Sequence, residues 1–146
     1  MKKLICMGII ALMTILVAAP AYATVEVAQN AGTQGVITPQ WTYIALICPG
    51  LSINSLGKAT CTGIAQVYDR SHTVKLTVNL QKSTSSGRST ITSWSATSPP
   101  GSTIAALEED YYVVHGTYRV SNNVKVYNSS GTLLEDKTVY SDTVTY

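Results

Sequence analysis

Carboxylate side chains are the first candidates for chemistry in this chain, because they occur in two short runs. Glu108, Glu109 and Asp110 form the longer run, and Glu135 and Asp136 form the shorter one. Clustered carboxylate oxygens are the ligands that Ca²⁺ prefers, so the longer run could hold a cation at a strand end or in a loop. Adjacent side chains on a strand point to opposite faces, however, and charges often protect sheet edges. We therefore favour a solvated, protected edge over a cation site.

Other residue patterns that carry catalysis or bind metals do not occur in the sequence. The two histidines, His72 and His115, are far apart in the chain and belong to no Cys-x-x-Cys or His-x-x-x-His spacing. No Gly-x-Ser-x-Gly motif or phosphate-binding loop is present. A carboxylate pair that cleaves a glycoside would need a cleft, for which a domain of this size has little room. The sequence thus predicts no enzyme, no cofactor and no catalytic or metal-binding residue.

Aromatic side chains are the remaining candidates for binding. The tyrosines that could present rings for sugar stacking or protein contact are Tyr111, Tyr112, Tyr127, Tyr140 and Tyr146. Trp41 and Tyr43 are two residues apart and would share one face of a strand. Trp94 is expected to fill the core, with an exposed binding ring as the alternative. We also favour a structural role for the tyrosines, because tyrosine suits half-buried strand positions and the chain has no Phe.

The first 23 residues have the features of a secretory signal peptide. Two lysines precede an apolar run from Leu4 to Val17, and Ala21-Tyr22-Ala23 forms a small-x-small cleavage motif. The apolar run is short for a membrane span, so we expect cleavage between Ala23 and Thr24 rather than a retained anchor. The mature protein is predicted to be secreted, with no membrane association after the signal peptide is removed.

Cys48 and Cys61 are the two cysteines that remain after this cleavage. An even pair in an exported chain favours a disulfide bond. Two buried free thiols are the alternative, because an unpaired cysteine packs well as a small apolar group. A bridge would stabilise the fold by ~2–3 kcal/mol if it were unstrained. Pairing of the flanking strands would place the two cysteines diagonally, and a bulge at Pro49-Gly50 would align them.

Removal of the signal peptide also changes the charge balance. The full chain has 10 Lys and Arg residues against 8 Asp and Glu residues, and two of the lysines lie within residues 1–23. The mature chain therefore has no net charge when its histidines are neutral, and its basic residues are scattered. Nucleic acid is not an expected partner, because it attracts clustered positive charge.

The hydrophobic pattern predicts one all-β domain over residues 36–146, after a flexible lead-in over residues 24–35. Residues 74–81 alternate most clearly, with Val74, Leu76, Val78 and Leu80 on the inward face. The segments 58–68 and 118–127 alternate in the same way. About seven such segments, separated by Gly, Ser, Asn and Pro, predict an immunoglobulin-like antiparallel β-sandwich.

Three local features sharpen this prediction. The first strand is expected to begin at Trp41, to be interrupted by Pro49-Gly50 and to resume at Leu51. Residues 132–146 are expected to form one last strand. Tyr118 follows the corner at Gly116, and a tyrosine whose hydroxyl returns to the backbone at such a corner is a recurring device of immunoglobulin-like sandwiches.

Four short motifs follow the signal peptide and lead-in in order along the chain. They are Gly57-Lys58-Ala59-Thr60-Cys61, Val74 to Gln81, Ser93-Trp94-Ser95 and Gly116-Thr117-Tyr118-Arg119-Val120. In this order the chain resembles a family of small exported proteins of Gram-positive bacteria whose function is unknown. The resemblance implies an immunoglobulin-like fold and export, and it implies no activity or site.

Three classes of function remain open from the sequence. The favoured one is a secreted, non-catalytic module that binds an extracellular protein or a cell-surface glycan. The alternative is a secreted inhibitor, toxin-like or matrix protein that acts through its loops. A small hydrolase that uses Glu108 or Glu109 is the least favoured, because no catalytic pattern accompanies these residues.

Overall fold

The structure is a computed structural model, and it describes residues 40–146. The signal peptide, the cleavage point between Ala23 and Thr24 and the lead-in lie outside these residues. The described part of the chain consists of strands and connecting turns. It contains no helix long and apolar enough to cross a membrane.

Eight antiparallel strands form two facing sheets, which confirms the predicted immunoglobulin-like sandwich. The strands are β1 (Ile44–Ile53), β2 (Lys58–Val67), β3 (Thr73–Thr84), β4 (Gly87–Thr97), β5 (Ile104–Tyr112), β6 (Thr117–Tyr127), β7 (Leu133–Tyr140) and β8 (Val144–Thr145). The first sheet has the order β1-β2-β5. The second has the order β4-β3-β6-β7, and the short β8 pairs with the start of β6. Strands β4 and β5 are therefore edge strands on the same side of the sandwich.

The core forms from the inward faces of the strands that alternate most clearly. Val74, Leu76, Val78 and Leu80 on β3 are fully buried, as the sequence predicts. The inward residues of β6 are likewise buried: Tyr118, Val120, Asn122, Val124 and Val126. Burial of each large aliphatic side chain stabilises the fold by about 1.5–3 kcal/mol. These two central strands thus hold the second sheet against the first.

Small residues on β2 let the two sheets approach closely. Ala59, Cys61 and Ala65 are fully buried on the inward face of β2, and Gly63 lies between them. A β-carbon at Gly63 would overlap a methyl group of Val78 and lie 3.0 Å from Nδ2 of Asn122, both on the facing sheet. The two sheets therefore approach closely at this face.

The disulfide predicted between Cys48 and Cys61 is not present, because the two cysteines lie on opposite faces of the first sheet. Cys48 pairs with Ile64 and is exposed, whereas Cys61 pairs with Leu51 and is buried. The register of β1 and β2 runs without a shift from Leu46 onwards, so no bulge at Pro49-Gly50 realigns the thiols. Residues directly opposite on paired strands share a face, which places the two sulfur atoms on different sides of the sheet.

Both ends of the domain differ from the predicted strands. β1 continues through Pro49. Proline has no backbone N–H, and an edge strand tolerates this because the outer side of such a strand has no neighbouring strand to receive a hydrogen bond. The irregularity in β1 lies instead between Ile44 and Leu46. At the C-terminus, β7 ends at Tyr140 and the chain resumes pairing at Val144, so two strands replace the predicted one.

Candidate functional site

An open groove lies between the edges of the two sheets. It has a volume of about 530 Å³ and lies near the β5–β6 loop, where β3 and β5 end and β4 begins. The lining residues are Lys82, Thr84, Ser89, Thr90, Ile91, Tyr111, Tyr112, Val113, Val114 and Tyr118. Hydroxyl groups, aromatic rings and one cation thus share a single surface.

One wall of the groove comes from the β3–β4 hairpin. Leu80 pairs with Thr92, but the next residue of β3, Gln81, pairs with Thr90, so Ile91 is an extra residue in β4. Such a bulge bends an edge strand and re-aims its side chains. The bulge places Ile91 at the groove.

The opposite wall comes from the end of β5 and carries two tyrosines. Tyr111 is 38% exposed and Tyr112 is 72% exposed. They are adjacent and so leave β5 on opposite faces, yet both line the groove because the strand ends at Tyr112. Of the tyrosines proposed from the sequence as binding rings, these two are brought together.

The floor of the groove is held by the predicted tyrosine corner. Tyr118 is 1% exposed, and its hydroxyl donates a hydrogen bond of 2.5 Å to the carbonyl oxygen of Val114. The amide of Val113 donates to the carbonyl oxygen of Gly57 at 2.8 Å, which fixes the other side of the loop. These two bonds confirm the corner and position the loop that borders the groove.

Lys82 is the cation of the groove, and it approaches from the inward side of β3. Its Nζ lies 5.5 Å from the centre of the Tyr118 ring, within the range of a cation–π contact. A side chain at Gly116 would come within 2.6 Å of Cε of Lys82, so the glycine leaves room for the lysine stem. Within residues 40–146, Lys82 forms no salt bridge.

The other aromatic residues named from the sequence do not line the groove. Trp94 pairs with Val78 and is half-buried against the core, as expected. Trp41 and Tyr43 precede β1 rather than belonging to it, and they also pack on the core. The remaining candidates each have other surroundings: Tyr127 is half-buried at the end of β6, Tyr140 stacks on the Arg119 guanidinium, and Tyr146 stacks on the His115 ring.

The acidic run on β5 is divided between the two faces of the strand. Asp110 forms a salt bridge of 2.7 Å with Lys58 and accepts a hydrogen bond from the Thr60 hydroxyl. The hydrogen bond from Lys58, followed by that from Thr60, lowers the pKa of the Asp110 carboxyl. Glu109 pairs with Cys61 and points to the other face. Within the described range, no three His, Cys, Asp or Glu side chains converge on one point.

Glu135 has a role that the sequence does not indicate. Its carboxylate accepts hydrogen bonds from the backbone amides of Thr42, Tyr43 and Ile44 at 3.3, 2.8 and 3.1 Å. It thereby ties the entry to β1 onto β7 of the facing sheet. The neighbouring Asp136 pairs with Lys125 at 3.5 Å. The shorter acidic run is therefore structural.

The two histidines lie in separate surroundings. His72 contacts Tyr43 edge-on, with ring centres 5.3 Å apart, and its Nδ1 is buried without a hydrogen-bond partner. His115 stacks on Tyr146, with ring centres 4.6 Å apart. Neither histidine lines the groove.

A second, shallower hollow lies on the outer face of the first sheet. Its volume is about 300 Å³, and it is lined by Thr62, Ile64, Ala106, Leu107 and Glu108. The exposed Cys48 pairs with Ile64 on the same face. The buried Cys61 is on the other face, where burial raises the pKa of its thiol to about 11. Aromatic rings do not line this hollow, so it offers a less specific surface than the groove.

Comparisons with known proteins add a distant structural likeness. No family model matches the chain, and no curated protein sequence matches it. One similar solved structure is Bacteroides uniformis beta-glucuronidase 2, covalently bound to cyclophellitol-6-carboxylate aziridine. The two chains are 16% identical with a TM-score of 0.39, over 64% of this chain and 12% of that chain. The resemblance to a family of exported Gram-positive proteins stays a prediction.

Proposed function

We propose that this protein is a secreted, non-catalytic module that binds a cell-surface glycan. The observation that carries the proposal is the groove between the β4 and β5 edges, where Tyr111 and Tyr112 stand beside several hydroxyl groups. Export rests on the signal-peptide pattern of residues 1–23.

The side chains of the groove suit a sugar chemically. An exposed tyrosine presents an apolar ring face together with a polar hydroxyl, which matches the alternating C–H and O–H groups of a pyranose. Thr84, Ser89 and Thr90 on the opposite wall supply groups that both donate and accept hydrogen bonds. A sugar between the walls would thus find stacking on one side and hydrogen bonds on the other.

The same residues favour binding over catalysis. Glycoside cleavage needs two carboxyl groups on either side of the scissile bond, and the lining of the groove contains no Asp, Glu or His. Its shape is open, so a bound sugar would remain in contact with water. A binding module has no need to exclude water from its ligand.

Alanine at Tyr111 is expected to weaken glycan binding about tenfold, because it removes a stacking platform worth ~1.4 kcal/mol. Tyr112→Ala should have a similar or smaller effect, since Tyr112 is the more exposed ring. The measurement is a glycan-array screen of the mature protein, followed by titration calorimetry with the glycan that binds most tightly.

Tyr68→Ala is the matched control, because Tyr68 is 68% exposed and lies at the other end of β2 from the groove. The Tyr68→Ala variant should bind the glycan with the same affinity as the unchanged protein. Equal losses for Tyr111→Ala and Tyr68→Ala, or an array on which no glycan binds, would contradict the proposal.

A further inference from the structure

Lys82 has a position that glycan binding in general does not explain. It lies on the inward face of β3, in register with Leu80 and Thr84, where strand residues normally pack in the core. Its side chain is half-buried, with Nζ 5.5 Å from the centre of the Tyr118 ring. Its ammonium group therefore places a positive charge at the groove.

Within the described part of the chain, no carboxylate forms a salt bridge with Lys82. The salt bridges there join Lys58 to Asp110 and Lys125 to Asp136. Glu109 is the inward-facing acidic residue of β5 nearest in sequence to Tyr111, and it is not among the lining residues. Every other residue that lines the groove is uncharged when tyrosine is protonated. The groove therefore carries a local positive charge, although the mature chain as a whole is neutral.

We infer that the groove selects an anionic sugar, whose negative group binds Nζ of Lys82 while its ring lies against Tyr111. The inference rests on the proposed function and names the class of glycan: a hexuronic acid, or a hexose that carries a sulfate ester. A carboxylate and a sulfate both offer oxygen acceptors for the three N–H donors of the ammonium group. Tyr118 keeps the lysine stem in place, because its own ring is fixed by the hydrogen bond to Val114.

The test is binding of three matched oligosaccharide series that share one backbone: neutral hexose, hexuronic acid and sulfated hexose. The unchanged protein should bind one of the anionic series about fivefold more tightly than the neutral series, as expected for one partly exposed ion pair. Which anionic series binds identifies the source of the charge. The preference should shrink as salt is added, because salt screens the pair.

Lys82→Met should abolish this preference, because methionine keeps an apolar stem beside Tyr118 but carries no charge. Lys82→Arg should retain the preference. Lys75→Met is the matched control, since Lys75 is an exposed lysine on the outward face of the same strand. Thermal unfolding of each variant confirms that the fold is intact.

The outcomes separate this inference from the proposed function. Equal binding of neutral and anionic series by the unchanged protein, with loss of both in Tyr111→Ala, would overturn the inference and keep the glycan module. A preference that persists in Lys82→Met, or that disappears equally in Lys75→Met, would overturn the inference as well. Failure of every series to bind would contradict both.

Discussion

Gly63→Val is expected to destabilise the domain by about 3 kcal/mol, the largest effect we expect from a single substitution here. Gly63 lies on the inward face of β2, opposite Val78 and Asn122 of the second sheet. Even one β-carbon would overlap a buried methyl group of Val78, and the branched side chain of valine adds two more methyl groups. The higher strand propensity of valine offsets no more than about 1 kcal/mol of this destabilisation.

The substitution would also disturb a buried polar contact. Nδ2 of Asn122 donates a hydrogen bond of 3.0 Å to the carbonyl oxygen of Cys48, and Oδ1 of the same amide is buried without a partner. Movement of Asn122 away from residue 63 would leave a second buried polar atom unsatisfied, at a cost of ~1–3 kcal/mol. A larger side chain at position 63 would therefore reduce stability in two ways, by forcing the sheets apart and by breaking the hydrogen bond of the Asn122 amide.

Urea unfolding measures this effect directly. Thr62→Val serves as the control, because Thr62 is the adjacent, outward-facing residue of β2 and should change stability by less than about 0.5 kcal/mol. Gly63→Ala should fall between the two. The losses caused by Gly63→Ala and Val78→Ala should be less than additive in the double variant, because truncation of Val78 opens space for the new β-carbon. An unfolding midpoint for Gly63→Val that equals or exceeds that of the unchanged protein would refute the close approach of the sheets.

Glu135→Ala is the second substitution with a large expected effect, a loss of about 2 kcal/mol in the free energy of unfolding. The carboxylate accepts from three consecutive backbone amides, and bonds to an ionised acceptor are the stronger kind. Its removal would leave the amides of Tyr43 and Ile44 partly buried without an acceptor. Trp41 and Tyr43 should then pack less firmly against the core.

Chemical denaturation and tryptophan fluorescence report the two parts of this prediction. Glu135→Gln keeps one acceptor oxygen, so its loss should be smaller than that of Glu135→Ala. Glu108→Ala removes the same charge from an exposed position on β5 and should be close to neutral. If Glu135→Ala and Glu108→Ala cost the same, the three amide bonds would contribute nothing to stability.

Most of the fold could be predicted because local alternation survives in the sequence. The inward residues of β3 and β6 alternate with polar ones, and this pattern alone fixes their faces. The tyrosine corner at Tyr118 was also predictable, because its signal is local to one turn. Gly63 could be placed on the inward face of β2 for the same reason.

The pairing register of neighbouring strands could not be predicted from the local hydrophobic pattern. A shift of one residue in register moves every side chain of a strand to the other face. The face of the sheet on which Cys48 lies therefore depends on whether the bulge in β1 falls at Pro49 or near Ile44. The two cysteines lie on adjacent strands, as the sequence predicts, but their sulfur atoms lie on opposite faces of the sheet. Glu135 was missed for a related reason, because its amide partners are 91 to 93 residues away in the chain.

The sequence indicates only some of the residues of the candidate site. Tyr111 and Tyr112 could be named as possible binding rings, but five other positions fitted equally well. Lys82 has only a weak signal in the sequence, because it follows the alternating segment and is separated from Gly116 and Tyr118 by more than thirty residues. Its alternation with Leu80 was the one clue, since it places a lysine on an inward face.

The central claim is that the groove between β4 and β5 is a glycan-binding site, and an NMR titration tests it most directly. Addition of the glycan that binds most tightly should shift the backbone amides of residues 82–91 and 111–118 together and leave those near Tyr68 unchanged. Shifts confined to the outer face of the first sheet, around Ile64 and Ala106, would contradict the claim.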